Sequence, residues 1–346
     1  MKTKLSVEKL HRLFTAAARF NELKSWSWLE DEDILAIEEP DTKKIAYCCV
    51  MGSLGECIGI AVYVGDVGLN SYFYGLSGEY VYDPEAMHMQ NSLLITFEDR
   101  EDIEKEDYEL IKKSGVKFRG KKQWPMFRKY ESGYFPWFLN DEELKFITVI
   151  LEQAYEFALD AKQDKGLVIP KEDGKCRIRK WKDDQKWGYD VVPLHPKKES
   201  FKIPAWKDEI RLRNLKKKVR KVDTVWEIDR FYSPSPIADE ERPYYPMVMV
   251  VVDGQIGQIL GMHLAKKDFC LQEFQEYFVE VVENVGMVPS EVVFDKKDMH
   301  KTLEDILNKL GVKSFLAEEL HMMPEIKYDM YDFFQHGFPN RKDIFD

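Results

Sequence analysis

The sequence has few of the features that announce a class of function. Its five cysteines, Cys48, Cys49, Cys57, Cys176 and Cys270, are odd in number and contain no C-x-x-C pair. That argues against a disulfide framework or a thiolate zinc site, and a cytoplasmic setting with reduced thiols fits best. No apolar run approaches the ~18 residues of a membrane span, and Met247–Val252 is far too short. Met1–Arg12 has no apolar core of the signal-peptide kind, so a membrane partner is not expected. The seven histidines show no His-Glu-x-x-His or similar ligand spacing, which speaks against a histidine-bound metal. No nucleophile elbow or dinucleotide fingerprint occurs. Positive charge is not in excess: 51 Lys and Arg against 62 Asp and Glu leave a formal net charge of −11. Generic charge-driven binding to nucleic acid is therefore disfavoured, although a basic strip on an acidic protein is compatible with it.

What is present describes a folded chain. The 346 residues are 44% hydrophobic and 13% aromatic, enough for two domains that bury their own cores without disulfides or metal. Ser6 is placed to cap a helix with Leu10, Leu13, Phe14, Ala17, Phe20 and Leu23 on its apolar stripe. Ile45–Met51 and Cys57–Val64 flank Gly52-Ser53-Leu54-Gly55-Glu56 as the arms of a hairpin. The spacing of Gly52, Gly55 and Gly59 resembles a phosphate loop, but a strand follows where such a loop needs a helix N-terminus. Cys48 and Cys49, adjacent on a strand, should face opposite ways as core thiols. Asn91–Phe97 reads as a strand and the mixed charges of Glu98–Asp107 as a solvated loop and helix start. Phe127–Leu139, with Tyr130, Tyr134, Phe135, Trp137 and Phe138, reads as buried strand and turn or as an aromatic binding wall. Asn140 caps an amphipathic helix through Leu144, Ile147, Leu151, Ala154 and Ala158. Lys175–Leu194 is a hairpin turning at Asp183-Asp184-Gln185.

Lys207–Lys221 concentrates positive charge. Leu212, Leu215, Val219 and Val222 keep a helical seam, while Arg211, Arg213, Lys217, Lys218, Arg220 and Lys221 are candidate nucleic-acid contacts on an otherwise solvated helix joining two domains. Beyond it the order is strand (Thr224–Phe231), a Ser-Pro-Ser-Pro loop, a hairpin (Met247–Asp253 and Gln255–Leu264) turning at Asp253-Gly254, helix, strand (Glu291–Asp295), helix, strand (Val312–Ala317), helix. The first helix carries Leu271, Phe274, Phe278, Val281 and Val285 and stops at Gly286. The second carries Met299, Leu303, Ile306 and Leu310 and stops at Gly311. Asp295 or Asp298 is placed to cap that second helix. Pro324 opens the last one, through Tyr328, Tyr331 and Phe334. With right-handed crossovers, strand 224–231 pairs antiparallel with 247–253 and runs parallel to 291–295. Asp229 and Asp295 then approach one another, and Asp253 is a turn residue.

The Trp-x-x-Asp strand at 226–229, the Val-Val-Asp-Gly hairpin ending Ile-Leu-Gly, the Gly-x-x-Pro at 286–289 before Asp295 and the Leu-Gly-Val at 310–312 resemble the ribonuclease H-like catalytic core of integrases and transposases. The resemblance covers the last third of the chain. It implies a mixed five-stranded sheet and a carboxylate triad holding Mg²⁺ or Mn²⁺, here Asp229, Asp295 and Asp329, the last 34 residues after Asp295 with Asp332 nearby. Such a triad suits two-metal phosphoryl transfer. The sequence departs from the pattern at Lys296 and Lys297, whose ammonium groups compete with metal for Asp295, and in having Asp as third acid. The whole chain also resembles two-domain bacterial proteins that carry domains of unknown function. The expected architecture is an α+β domain over 1–200, a basic connecting helix over 201–221 and an α/β ribonuclease H-like domain over 222–346. Three functions compete: a divergent non-catalytic module that binds a partner or nucleic acid, a Mg²⁺-dependent nuclease or strand-transfer enzyme, and a protein-binding regulatory factor recognising through its aromatic N-terminal half.

Overall fold

A computed structural model describes residues 4–55, 57–78, 85–170, 173–197, 202–239, 241–266 and 270–336. The chain divides into two compact units, residues 1–132 with 136–199, and residues 133–135 with 200–346.

The first unit opens with helix α1 (Val7–Leu23), where the Ser6 hydroxyl accepts the Lys9 N–H at 3.3 Å. Strands β1 (Ile34–Glu38), β2 (Ile45–Met51) and β3 (Gly59–Val64) follow, then helix α2 (Gly65–Ser77), β4 (Ser92–Glu98), helix α3 (Lys105–Ser114), β5 (Trp124–Glu131) and β6 (Tyr134–Trp137). Helix α4 (Asp141–Gln163) starts in a capping box built by Asn140 and Glu143, and β7 (Lys175–Trp181) and β8 (Trp187–Pro193) form the last hairpin. These strands make one eight-stranded sheet in the order β6-β5-β4-β3-β2-β1-β7-β8, antiparallel at β1–β2 and parallel at β1–β7. Period-two alternation sends Leu35, Ile37, Cys48 and Val50 into the core that contains residues of α1, α3 and α4. Ile34, Ala36, Tyr47 and Cys49 go into the core that contains α2 residues. The adjacent thiols Cys48 and Cys49 thus face opposite layers, and burial raises both their pKa values. The charged tract Glu98–Asp107, whose end forms the first turn of α3, is not wholly solvated. Asp107 is 3% exposed and takes a two-pronged hydrogen bond from Arg128 at 2.9 and 2.7 Å, because a carboxylate carried into the core by α3 needs a matching cation. Tyr130, Tyr134, Phe135, Trp137 and Phe138 are all half-buried.

The second unit begins with helix α5 (Glu209–Lys218), shorter than the expected 207–221 helix. Val219 is already extended, and Arg220–Lys221 form β9, which pairs in parallel with β13 (Met287–Val288). Leu212 and Leu215 of α5 are buried in this unit's core. The main sheet comprises β10 (Val225–Tyr232), β11 (Met247–Asp253), β12 (Ile259–Ala265), β14 (Glu291–Phe294) and β15 (Lys313–Leu316), in the order β12-β11-β10-β14-β15. β10 is antiparallel to β11 and parallel to β14, the pairing expected from the direction of the chain. Helices α6 (Cys270–Val285) and α7 (Lys297–Leu310) contribute the core on one face, with Trp226, Ile228, Met249 and Val251. Helix α8 (Met323–His336) covers Phe231, Val248, Val250 and Val252 on the other through Met323 and Tyr331. Gly286 and Gly311 end α6 and α7 at positive φ, as their positions in the sequence predict. The start of α7 differs from expectation: its N-cap position is Lys296, without a side-chain cap, so neither Asp295 nor Asp298 caps it. Asp298 lies in the first turn, where its Oδ1 accepts the Met299 N–H at 2.9 Å and its Oδ2 pairs with Arg230.

Candidate functional site

β10 alternates between two environments. Trp226, Ile228 and Arg230 point to the α6 and α7 side, where Arg230 Nε donates to Asp298 Oδ2 at 2.7 Å. Glu227, Asp229 and Phe231 point to α8. Glu227, 5% exposed, accepts the N–H groups of His321, Met322 and Met323 at 3.0, 2.9 and 3.1 Å, so a strand carboxylate satisfies the free donors at the start of α8.

Asp229 is 1% exposed. Its Oδ1 accepts from Lys296 Nζ at 2.6 Å and from the Arg230 N–H at 2.6 Å, and Lys327 Nζ lies 3.3 Å from its Oδ2. Lys296 Nζ also donates to the Arg230 carbonyl at 2.7 Å, and Lys327 Nζ sits 5.0 Å from the centre of the Phe231 ring. Asp295, following β14, is half-buried with Oδ1 unpartnered. Its pKa is raised, first by burial and then by the negative charge of Asp229, against the opposing pull of Lys296 and Lys327. The site is therefore two carboxylates, one on β10 and one just past the end of the parallel strand β14, with two ammonium groups among them.

Asp229 and Asp295 are brought within electrostatic range of one another, as expected. Asp329 does not join them. It is exposed on α8, and among the described residues no group of three His, Cys, Asp or Glu side chains could hold a metal ion. The reason is helical phase. Met323, Ile326, Met330 and Tyr331 turn toward the sheet, and Lys327 shares that face. Asp329, two residues on, is roughly 200° around the helix from Lys327. Asp332 is exposed as well, and so is Tyr328. Lys296 hydrogen-bonds Asp229 while its charge also acts on Asp295, as its position predicts, Lys297 is exposed, and Lys327, on the last helix, supplies a second ammonium. A divalent ion takes several oxygen ligands in a shell free of competing cations. Two carboxylates already bearing two ammonium groups do not fit that requirement.

The basic segment is partly spent on internal contacts. Arg211 is bridged to Glu276 at 2.9 Å and Glu283 at 2.7 Å, and that contact lowers the pKa of Glu283. Lys216 Nζ donates to the Lys309 carbonyl and Lys221 Nζ to the Gly311 carbonyl, at 2.7 and 2.6 Å, tying α5 and β9 to the end of α7. Arg213, Lys217, Lys218 and Arg220 are exposed. Asp253 is a turn residue: its Oδ1 accepts the Gln255 and Ile256 N–H groups and its Oδ2 the Thr224 hydroxyl.

Two family models match the chain, each described as a domain of unknown function: DUF7309 over residues 11–179 and DUF6930 over residues 211–331. No curated protein matches it. Solved structures similar to part of this chain include integrase and transposase structures. The HTLV-2 integrase catalytic core domain, in complex with magnesium, is 13% identical over 37% of this chain and 83% of that one, at a TM-score of 0.25. A simian T-cell lymphotropic virus intasome, in complex with PP2A regulatory subunit B56 gamma, is 12% identical over 37% and 48%, at 0.26. A pre-cleavage Mos1 transpososome is 9% identical over 43% and 56%, at 0.23. Likeness at this level assigns neither chemistry nor ligand.

Proposed function

We propose that the chain is a two-domain protein with its boundary near residue 200. On this reading an α+β domain is followed by a divergent ribonuclease H-like domain that acts as a non-catalytic module, binding a partner or nucleic acid in the cytoplasm. The strand order of the five-stranded sheet, with its second strand antiparallel and its last two parallel to the first, supports the domain type. The observation that carries the non-catalytic reading is the pair of ammonium groups on Asp229, from Lys296 and Lys327. A cation covalently attached to the protein neutralises the carboxylate but offers no open coordination position for a phosphate oxygen or an activated water. Candidate nucleic-acid contacts are Arg213, Lys217, Lys218 and Arg220, which lie exposed on α5 and β9.

The test is direct. Single- and double-stranded DNA and RNA are incubated with the purified full chain and Mg²⁺ or Mn²⁺, beside its Asp229→Asn variant, and the melting temperature of each is followed with metal. The reading expects no cleavage and little metal-dependent stabilisation. Mn²⁺-dependent cleavage that disappears in Asp229→Asn would establish the Mg²⁺-dependent enzyme instead.

A further inference from the structure

The charges at this site balance in a particular way. Two carboxylates, Asp229 and Asp295, meet two ammonium groups carried by different elements: Lys296 at the start of α7 and Lys327 on α8. Asp229 Oδ1 is saturated by Lys296 and the Arg230 N–H. Its Oδ2 receives no hydrogen bond and faces Lys327 at 3.3 Å, while Asp295 Oδ1, also a buried atom, has no donor. Two carboxylate oxygens thus lack donors beside cations that satisfy them only by charge. Carboxylate oxygens are the ligands that hard divalent ions prefer, and a lysine ammonium is a compact point charge on a long apolar stem. The stem of Lys327 is anchored, with its ammonium lying over the Phe231 ring as well as beside Asp229.

We infer that Lys296 and Lys327 are built-in replacements for a divalent cation, and that withdrawing them opens a Mg²⁺- or Mn²⁺-binding site on Asp229 and Asp295. This rests on the non-catalytic reading above and adds its cause: the positive charge that balances the carboxylate pair is supplied by the chain itself. Removing one ammonium leaves a buried carboxylate without its counter-charge, which destabilises the fold until another cation arrives. Methionine is the suitable replacement, since it keeps the packing volume of the apolar stem and discards the charge.

The experiment compares the full chain with Lys327→Met and with the double variant Lys296→Met/Lys327→Met. Melting temperature is followed in EDTA and across a Mn²⁺ titration, with bound Mn²⁺ counted by electron paramagnetic resonance. The variants should melt below the parent in EDTA. At about a hundred times its dissociation constant, Mn²⁺ should raise the double variant's melting temperature by roughly 5–10 °C, with a smaller rise for Lys327→Met and almost none for the parent. Adding Asp229→Asn to the double variant should abolish the gain. A double variant that folds but responds to Mn²⁺ no more than the parent overturns the inference, as does a gain that survives Asp229→Asn. A Mn²⁺-dependent gain in the parent that Asp229→Asn removes also overturns it. If the double variant is unfolded in EDTA, refolding with Mn²⁺ alone supports the inference and failure to refold in both overturns it. Failure of the functional reading looks different: it is cleavage of nucleic acid by the unmodified protein.

Discussion

Asp295 carries its negative charge at a cost. Burial and the neighbouring Asp229 raise its pKa, and its Oδ1 has no hydrogen-bond donor. A carboxyl whose folded-state pKa lies above its unfolded value, about 3.9 for Asp, binds its proton more tightly when the chain is folded. Its contribution to stability is fully present below the unfolded pKa and is lost as pH rises through the folded one. Asp295→Asn, neutral throughout, should therefore be more stable than the parent at pH 7, and the advantage should vanish near pH 3. Denaturant melts at the two pH values check this. An equal change at both would mean that charge is not the cause. The Asp229–Asp295 approach was legible in the sequence because both residues sit at strand positions set by a period of two and by chain direction. Lys327 and Asp329 were not, because a count of 34 residues from Asp295 says nothing about helical phase. The seam Met323, Ile326, Met330, Tyr331 decides which residue faces the sheet, and Tyr328, though aromatic, is 72% exposed.

Among the elements, α8 depends on β10 for its start. Three backbone donors at its N-terminus converge on Glu227, and further along Tyr331 donates its hydroxyl to the Tyr232 carbonyl at 2.8 Å. Glu227→Ala leaves those donors without their acceptor and should cost about 1–3 kcal/mol. Hydrogen exchange should quicken over 321–330 before the rest of the sheet is affected. Uniform exchange across the domain would show that α8 is held mainly by its apolar face. The opposite side of the sheet has its own constraint at Gly261 of β12. A Cβ built there would lie 2.5 Å from Val281 Cγ2 and 2.9 Å from the Tyr277 hydroxyl, and Val281 is buried. Gly261→Ala should therefore overpack the β12–α6 contact and destabilise by about 1–3 kcal/mol, measurable by urea unfolding. Hairpins, capped helices and glycine stops were readable from local pattern because short-range chemistry sets them. The end of α5 was not, because Leu212, Leu215 and Val219 continue a helical seam into a segment that β13 draws into a two-residue strand. The parallel β1–β7 pair was equally hidden, since the two strands are joined through most of the first unit and nothing local marks them as partners.

On the scale of the whole chain, the cores indicate where it can be cut. The buried apolar residues from Trp206 to Val312 form one cluster, and those from Phe231 to Tyr331 form another across the same sheet. Of the second unit, only residues 133–135 come from before position 200. A fragment spanning 200–346 should therefore express as a folded domain with a cooperative melt, somewhat less stable than its counterpart in the full chain because Phe135, which stacks on Tyr245 at 6.5 Å, is missing. A fragment beginning at Arg242 loses β10, the central strand between β11 and β14. With it go Trp226, Ile228 and Phe231, all 1% exposed or less, together with Glu227 and Asp229. That leaves β11 and β14 unpaired along their facing edges and both lysines without their carboxylate, losses far beyond the ~5–15 kcal/mol that hold a typical domain together. Circular dichroism melts and hydrogen exchange on the two fragments separate the outcomes. A cooperative, protected fold in the fragment from Arg242 would mean that the five-stranded sheet is not the unit of folding, and the boundary near residue 200 would fall with it.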